Sequence, residues 1–197
     1  MTNEISSAEA REALGEIEQT MAQARYYAAV AASPILYVWG AIWIVAYSLC
    51  QFFPEHSGLI WMPLAVIGAV LTGVFSKRAP VRSSSDGRFG IAWAVLFIFA
   101  GVWFAVLMPW EKMGGFDYME RQRSMGAYGA TLVMFAYVMM GLWWDRFFMW
   151  LGFTVTGLTL IGYFAVPKYF NLWMGIFGGG LLFLSGWLIK RRWKPAP

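Results

Sequence analysis

Apolar positions in this chain come in long runs, not in stripes. After a polar stretch that ends near Tyr26, six runs lie near 27–53, 58–76, 89–109, 124–144, 146–166 and 169–189. Each is close to the ~20 residues that a helix needs to cross a bilayer. Within a run the apolar residues continue round the whole helix, the pattern of a segment that faces lipid or is buried on every side. The roughly ten-residue alternating segments of a membrane β-barrel do not occur, and lipid leaves a backbone amide no partner outside its own helix. The expected fold is all-α, a polytopic membrane protein of six transmembrane helices. Connections are short, so neighbours are antiparallel; only SKRAPVRSSSDGR (76–88) and WEKMGGFDYMERQR (110–123) are sizeable, and DR (145–146) alone parts the fourth run from the fifth.

The polar stretch has its own period. SSAEAREALGEIEQTMAQARYY opens with a Ser6-x-x-Glu9 capping box and sets Leu14, Ile17, Met21, Ala24 and Ala28 at three-four spacing. It predicts an amphipathic helix over residues 1–26 that runs into the first span. Glu9, Glu12, Glu16 and Glu18 outnumber Arg11 and Arg25, so an anionic lipid surface would repel it. Leu14, Ile17 and Met21 are therefore expected to meet a helical protein partner or a second copy.

One helix is spelled twice. WMPLAVIGAVLTGVF (61–75) and WLGFTVTGLTLIGYF (150–164) agree at six of fifteen columns. The runs before them align Tyr37, Gly40 and Trp43 with Tyr137, Gly141 and Trp144, and those after share an aromatic-x₃-Trp-x₃-Phe spacing, FGIAWAVLF (89–97) and YFNLWMGIF (169–177). This predicts two transmembrane repeats, residues 27–109 and 124–189, joined by an external loop (110–123) and followed by a basic tail (190–197). Three spans per half is an odd number, so the halves would be inverted, a construction that in many transporters puts a site near the midplane at the repeat interface.

Composition and charge sharpen this. The chain is 59% hydrophobic and 13% charged, with mean hydropathy +0.55, far from the roughly 25% charged residues of soluble proteins. With the N-terminus inside, eleven Lys and Arg fall on the inner side and four, Lys112, Arg121, Arg123 and Lys168, on the outer. Both termini are thus expected in the cytoplasm, with the protein multi-pass in the plasma (inner) membrane. No cleavable signal peptide is expected from so polar and acidic a start, and the lone Cys50 excludes an intrachain disulfide.

Candidate chemistry is sparse. No run carries Asp, Glu, Lys, Arg or His near its middle, and the only His, His56, stands beside Glu55 in a turn. Neither a metal site nor a nucleophile with its base can be assembled, so no enzyme activity, metal, cofactor or nucleic-acid partner is expected. Gly175-x₃-Gly179 and Gly126-x₃-Ala130 read as packing seams. Trp61, Trp110, Trp143, Trp144, Trp150, Trp187 and Trp193 belong near the membrane interfaces, while Trp39, Trp43, Trp93, Trp103 and Trp173 lie deeper. The residues expected along a central path are Tyr37, Trp43, Gly68, Trp93, Tyr137, Thr156, Gly157 and Trp173.

YVWGAIWIVAY (37–47) resembles an aromatic helix of the small amide and urea channel family, whose members also have six helices; the resemblance covers that helix and implies a neutral solute. Two functions are expected: a passive channel or facilitator for a small neutral or apolar solute, or a non-transporting membrane sensor or assembly subunit that docks a partner through its acidic N-terminal helix.

Overall fold

The structure, a computed structural model, describes residues 7–77, 91–98, 100–101, 118–143 and 145–192, with the side chains of 7–9, 21, 22, 24, 25, 27–31, 77, 118 and 143 outside the description. Outside it too lie Ser6, the 78–90 connection, Trp103 and the rest of the third run, most of the 110–123 loop, Trp110, Trp144 and the tail from Trp193. Every described element is helical. They are α1 (Ser7–Phe52), a 3₁₀ turn (Pro54–His56), α2 (Ser57–Lys77), α3 (helical at 91–98 and 100–101), α4 (Tyr118–Trp143) and α5 (Arg146–Ala165). After a second 3₁₀ turn (Pro167–Tyr169) come α6 (Phe170–Trp173), a π-helical stretch (Met174–Gly179) and α7 (Gly180–Arg192).

Five helical segments are long and apolar enough to cross a membrane: Ala32–Phe52, Pro54–Ser76, Met119–Leu142, Arg146–Ala165 and Pro167–Arg192. Their outer faces carry bare Val66, Ile67, Phe153, Ile161, Phe183 and Leu184. Such a surface suits hydrocarbon and would aggregate in water.

α1 organises the bundle: α2 lies along it, and so do α6, the π-helical stretch and α7, while α4 and α5 form an antiparallel hairpin. Small residues set these contacts, as expected where lipid is as apolar as the interface and close packing must hold helices together. A methyl group on Gly40 would stand 2.6 Å from the Phe183 amide nitrogen, and one on Gly179 would stand 2.8 Å from that of Ile44. Ser33 ties one end of this seam by donating to the Gly186 carbonyl at 2.7 Å. The buried positions Asn171, Met174, Gly175, Gly178, Gly179, Leu182, Ser185, Gly186 and Ile189 make one stripe through the π-helical stretch.

In the hairpin, Gly141 admits Met149 and Gly152 admits Val138. Asp145 is the N-cap of α5 and accepts from the Phe147 amide at 2.7 Å, satisfying one of the free donors of that helix end.

The polar stretch is helical and continuous with the first span. α1 has 46 residues, about 69 Å at 1.5 Å per residue. The 25 residues before Ala32 extend it by about 37 Å. Residues 10–20 are all exposed. Pro34 lies inside the helix and forfeits one backbone bond there, close to the point where Ser33 holds α1 to α7.

Candidate functional site

Five of the expected path residues, Tyr37, Trp43, Tyr137, Trp173 and Gly68, pack against neighbouring helices. Trp43 is buried against Gly178 and edge-on to Tyr47, with ring centroids 5.6 Å apart. Tyr37 is half-buried and meets Phe183 edge-on at 4.8 Å. Tyr137, buried, lies between Trp93 at 6.0 Å and Phe148 at 6.1 Å. Trp173 donates its indole N–H to the Leu158 carbonyl at 2.8 Å and covers Gly162. Gly68 is closed by Ile42 and Trp39, and Trp39 donates to the Thr72 hydroxyl at 3.1 Å. Thr156 and Gly157 are half-buried on α5, and Gly157 has no atom within 4 Å of where a side chain would begin. The two matched glycines thus sit in different surroundings. Thr154 and Thr159 bond their own helix, to Trp150 and Val155.

A group that sequence reasoning missed lies where the end of α1, the starts of α2, α4 and α6 and the end of α5 meet. Beyond the N-terminal stretch the chain has only three amide side chains, Gln51, Gln122 and Asn171, and all three are here. Asn171 Nδ2 donates to Gln122 Oε1 at 2.8 Å, both residues buried. Gln51 Nε2 donates to the Lys168 carbonyl at 3.0 Å. Tyr47 donates to the Gly126 carbonyl at 2.9 Å; Gly126 is the small residue that lets Tyr47 and Phe170 approach. Trp61, expected in the interfacial belt, turns inward and meets Tyr47 edge-on at 5.1 Å. Buried Cys50 lies beside Gln122 and Trp61. Arg123 stacks over the Tyr163 ring at 4.8 Å, and the Tyr163 hydroxyl lies 3.2 Å from that of Ser124.

Asn171 Oδ1, Gln51 Oε1 and Arg123 Nε are buried without a protein partner, so the junction keeps hydrogen-bonding capacity for water or a small polar molecule. It supplies amides and hydroxyls that fix helix ends, and its Arg123 lies 3.7 Å from the Glu120 carboxylate one turn earlier on α4. Among the described residues no three His, Cys, Asp or Glu side chains come together as a metal site. The Glu55–His56 pair, 3.1 Å apart, is exposed and contributes little. The signal that could have found the junction is the rarity of amides in apolar sequence; a search for charge passes over it.

On α1, Leu14 is 59% exposed and Ile17 54%; the Met21 side chain lies outside the described residues. The chain matches no protein-family model, no curated protein and no solved structure. The resemblance of residues 37–47 to amide and urea channels rests on that helix alone.

Proposed function

We propose that the protein is a non-catalytic, non-transporting membrane module that assembles through the part of α1 standing clear of the bundle. The observation that carries this is the unbroken 46-residue helix whose outer turns leave Leu14 and Ile17 bare. Ala10, Leu14, Ile17, Met21, Ala24 and Ala28 recur at alternating four-three steps, the seam of a coiled coil. Copies inserted in one membrane are parallel, and such a seam is then self-complementary. Glu9, Glu12 and Glu16 fall on the far side, and no like charges face each other across the flanking positions. The acidic surface keeps the stalk off an anionic leaflet.

The reading carries six spans, the third formed by residues 89–109, both termini cytoplasmic, in the plasma (inner) membrane. The five apolar helices, the helical residues 91–98 and 100–101 and the positions of the basic residues support it. An inverted 3+3 repeat is supported by crossed packing: α1 meets α7 through Tyr37 and Phe183, and α4 meets α3 through Tyr137 and Trp93.

Light scattering of the purified full-length protein in detergent tests this reading. Wild type should be oligomeric, and Leu14→Asp with Ile17→Asp should shift it to monomer with helicity and melting unchanged. An unshifted oligomer sinks self-assembly through α1; a monomeric wild type transfers the seam to a different helical partner.

A further inference from the structure

At the end of the bundle opposite the amide junction, the start of α5 and the ends of α4 and α7 border a shallow, half-open cleft of about 710 Å³. Two arginines from separate elements line it, Arg146 at the start of α5 and Arg192 at the end of α7. Asp145 also lines it, but its carboxylate is engaged with the Phe147 amide at 2.7 Å. The cleft wall continues into Leu142 and Trp150, 65% and 64% exposed on the lipid-facing side. Next to it, Arg191 stacks over Trp187 at 4.3 Å, so the last turn of α7 keeps a further cation at the same level.

We propose that this cleft holds the headgroup of an anionic phospholipid, its phosphate between Arg146 and Arg192 and its first acyl carbons along Leu142 and Trp150. Arginine suits the role because its planar fork donates two parallel hydrogen bonds to phosphate oxygens. The position suits it because Arg146 opens α5 and Arg192 closes α7 where the apolar spans end, at headgroup level, where basic clefts between membrane helices meet anionic lipids. A soluble phosphate ester would use the arginines and leave Leu142 and Trp150 idle. A phospholipid uses both ends of the cleft.

Native mass spectrometry of the full-length protein, released from micelles doped with phosphatidylglycerol or phosphatidylcholine, tests this. Wild type should retain phosphatidylglycerol over phosphatidylcholine by about thirtyfold at low ionic strength, about fivefold per arginine. Arg146→Gln with Arg192→Gln should lose most of that preference while keeping wild-type helicity. Asp145→Asn keeps a capping acceptor but removes the local negative charge, and should raise retention. Trp150→Ala should weaken retention of the lipid. No preference in the wild type, or an undiminished one in the double variant or after the Trp150 change, overturns the proposal. Displacement of the lipid by millimolar inorganic phosphate also overturns it, reassigning the cleft to a soluble anion.

Discussion

α2 and α5 share Trp, Val, Gly, Leu, Gly and Phe at matched columns, yet they bury opposite faces. α5 buries Phe148, Leu151, Gly152, Val155, Thr159 and Gly162. The matching positions of α2, Leu59, Met62, Pro63, Val66, Val70 and Gly73, are all exposed. α2 instead turns Trp61, Leu64, Gly68, Leu71, Thr72 and Phe75 inward, and of their counterparts only Gly157 is even half-buried. Val66 is 58% exposed where Val155 is 0%. A helix that is apolar all round carries no stripe to say which way it faces. Its orientation is decided by which small residues meet a neighbour, and the two copies use different ones: α2 meets α1 at Gly68, while α5 meets Val138 at Gly152 and Trp173 at Gly162. The shared spelling therefore records a relation of order along the chain, and the surroundings of each copy are its own.

Paired substitutions can break or sharpen this contrast. The largest effect is expected at Gly162→Leu, which drives a side chain into Trp173 and disturbs its bond to Leu158; about 3 kcal/mol or more should be lost, read from reversible unfolding in mixed micelles. Its partner Gly73→Leu, in open space, should stay within about 0.5 kcal/mol. A smaller and reversed contrast is expected at the other glycine column. Gly68→Leu meets the side-chain tips of Ile42 and Trp39 and should cost about 1–3 kcal/mol, whereas Gly157→Leu should be neutral to slightly stabilising, because glycine is a poor helix former. Smallest is the valine pair: Val155→Ala leaves a cavity costing about 1 kcal/mol, and Val66→Ala should cost less than about 0.5 kcal/mol. Equal losses within each pair would restore equivalent surroundings to the two copies.

The positions of the five described spans were legible because bilayer thickness fixes run length. The second run, 58–76, became Ser57–Lys77, and the fourth and fifth parted at Asp145 as the lone DR implied. The N-terminal period of three and four gave a helix, and its continuity into the first span followed from the lack of any proline before Pro34. Facing was not legible. Gly68 and Gly157 look alike as letters and differ in space because their neighbours come from distant runs. Nor was the amide junction: Gln122 reads as loop and Asn171 as a helix start, and only the meeting of five helix ends brings them to 2.8 Å. Trp61 stands near a helix end, as interfacial tryptophans do, and only the ring of Tyr47 shows that it turns inward.

The central claim, that the stalk of α1 joins copies of the chain, is tested most directly by disulfide cross-linking in membranes. In a Cys50→Ala background, single cysteines at the seam, Leu14→Cys and Ile17→Cys, should form covalent dimers readily on mild oxidation. Glu12→Cys and Glu16→Cys, on the far side of the same exposed turns, should form few. Equal cross-linking at all four sites, or none at the seam, would contradict the account.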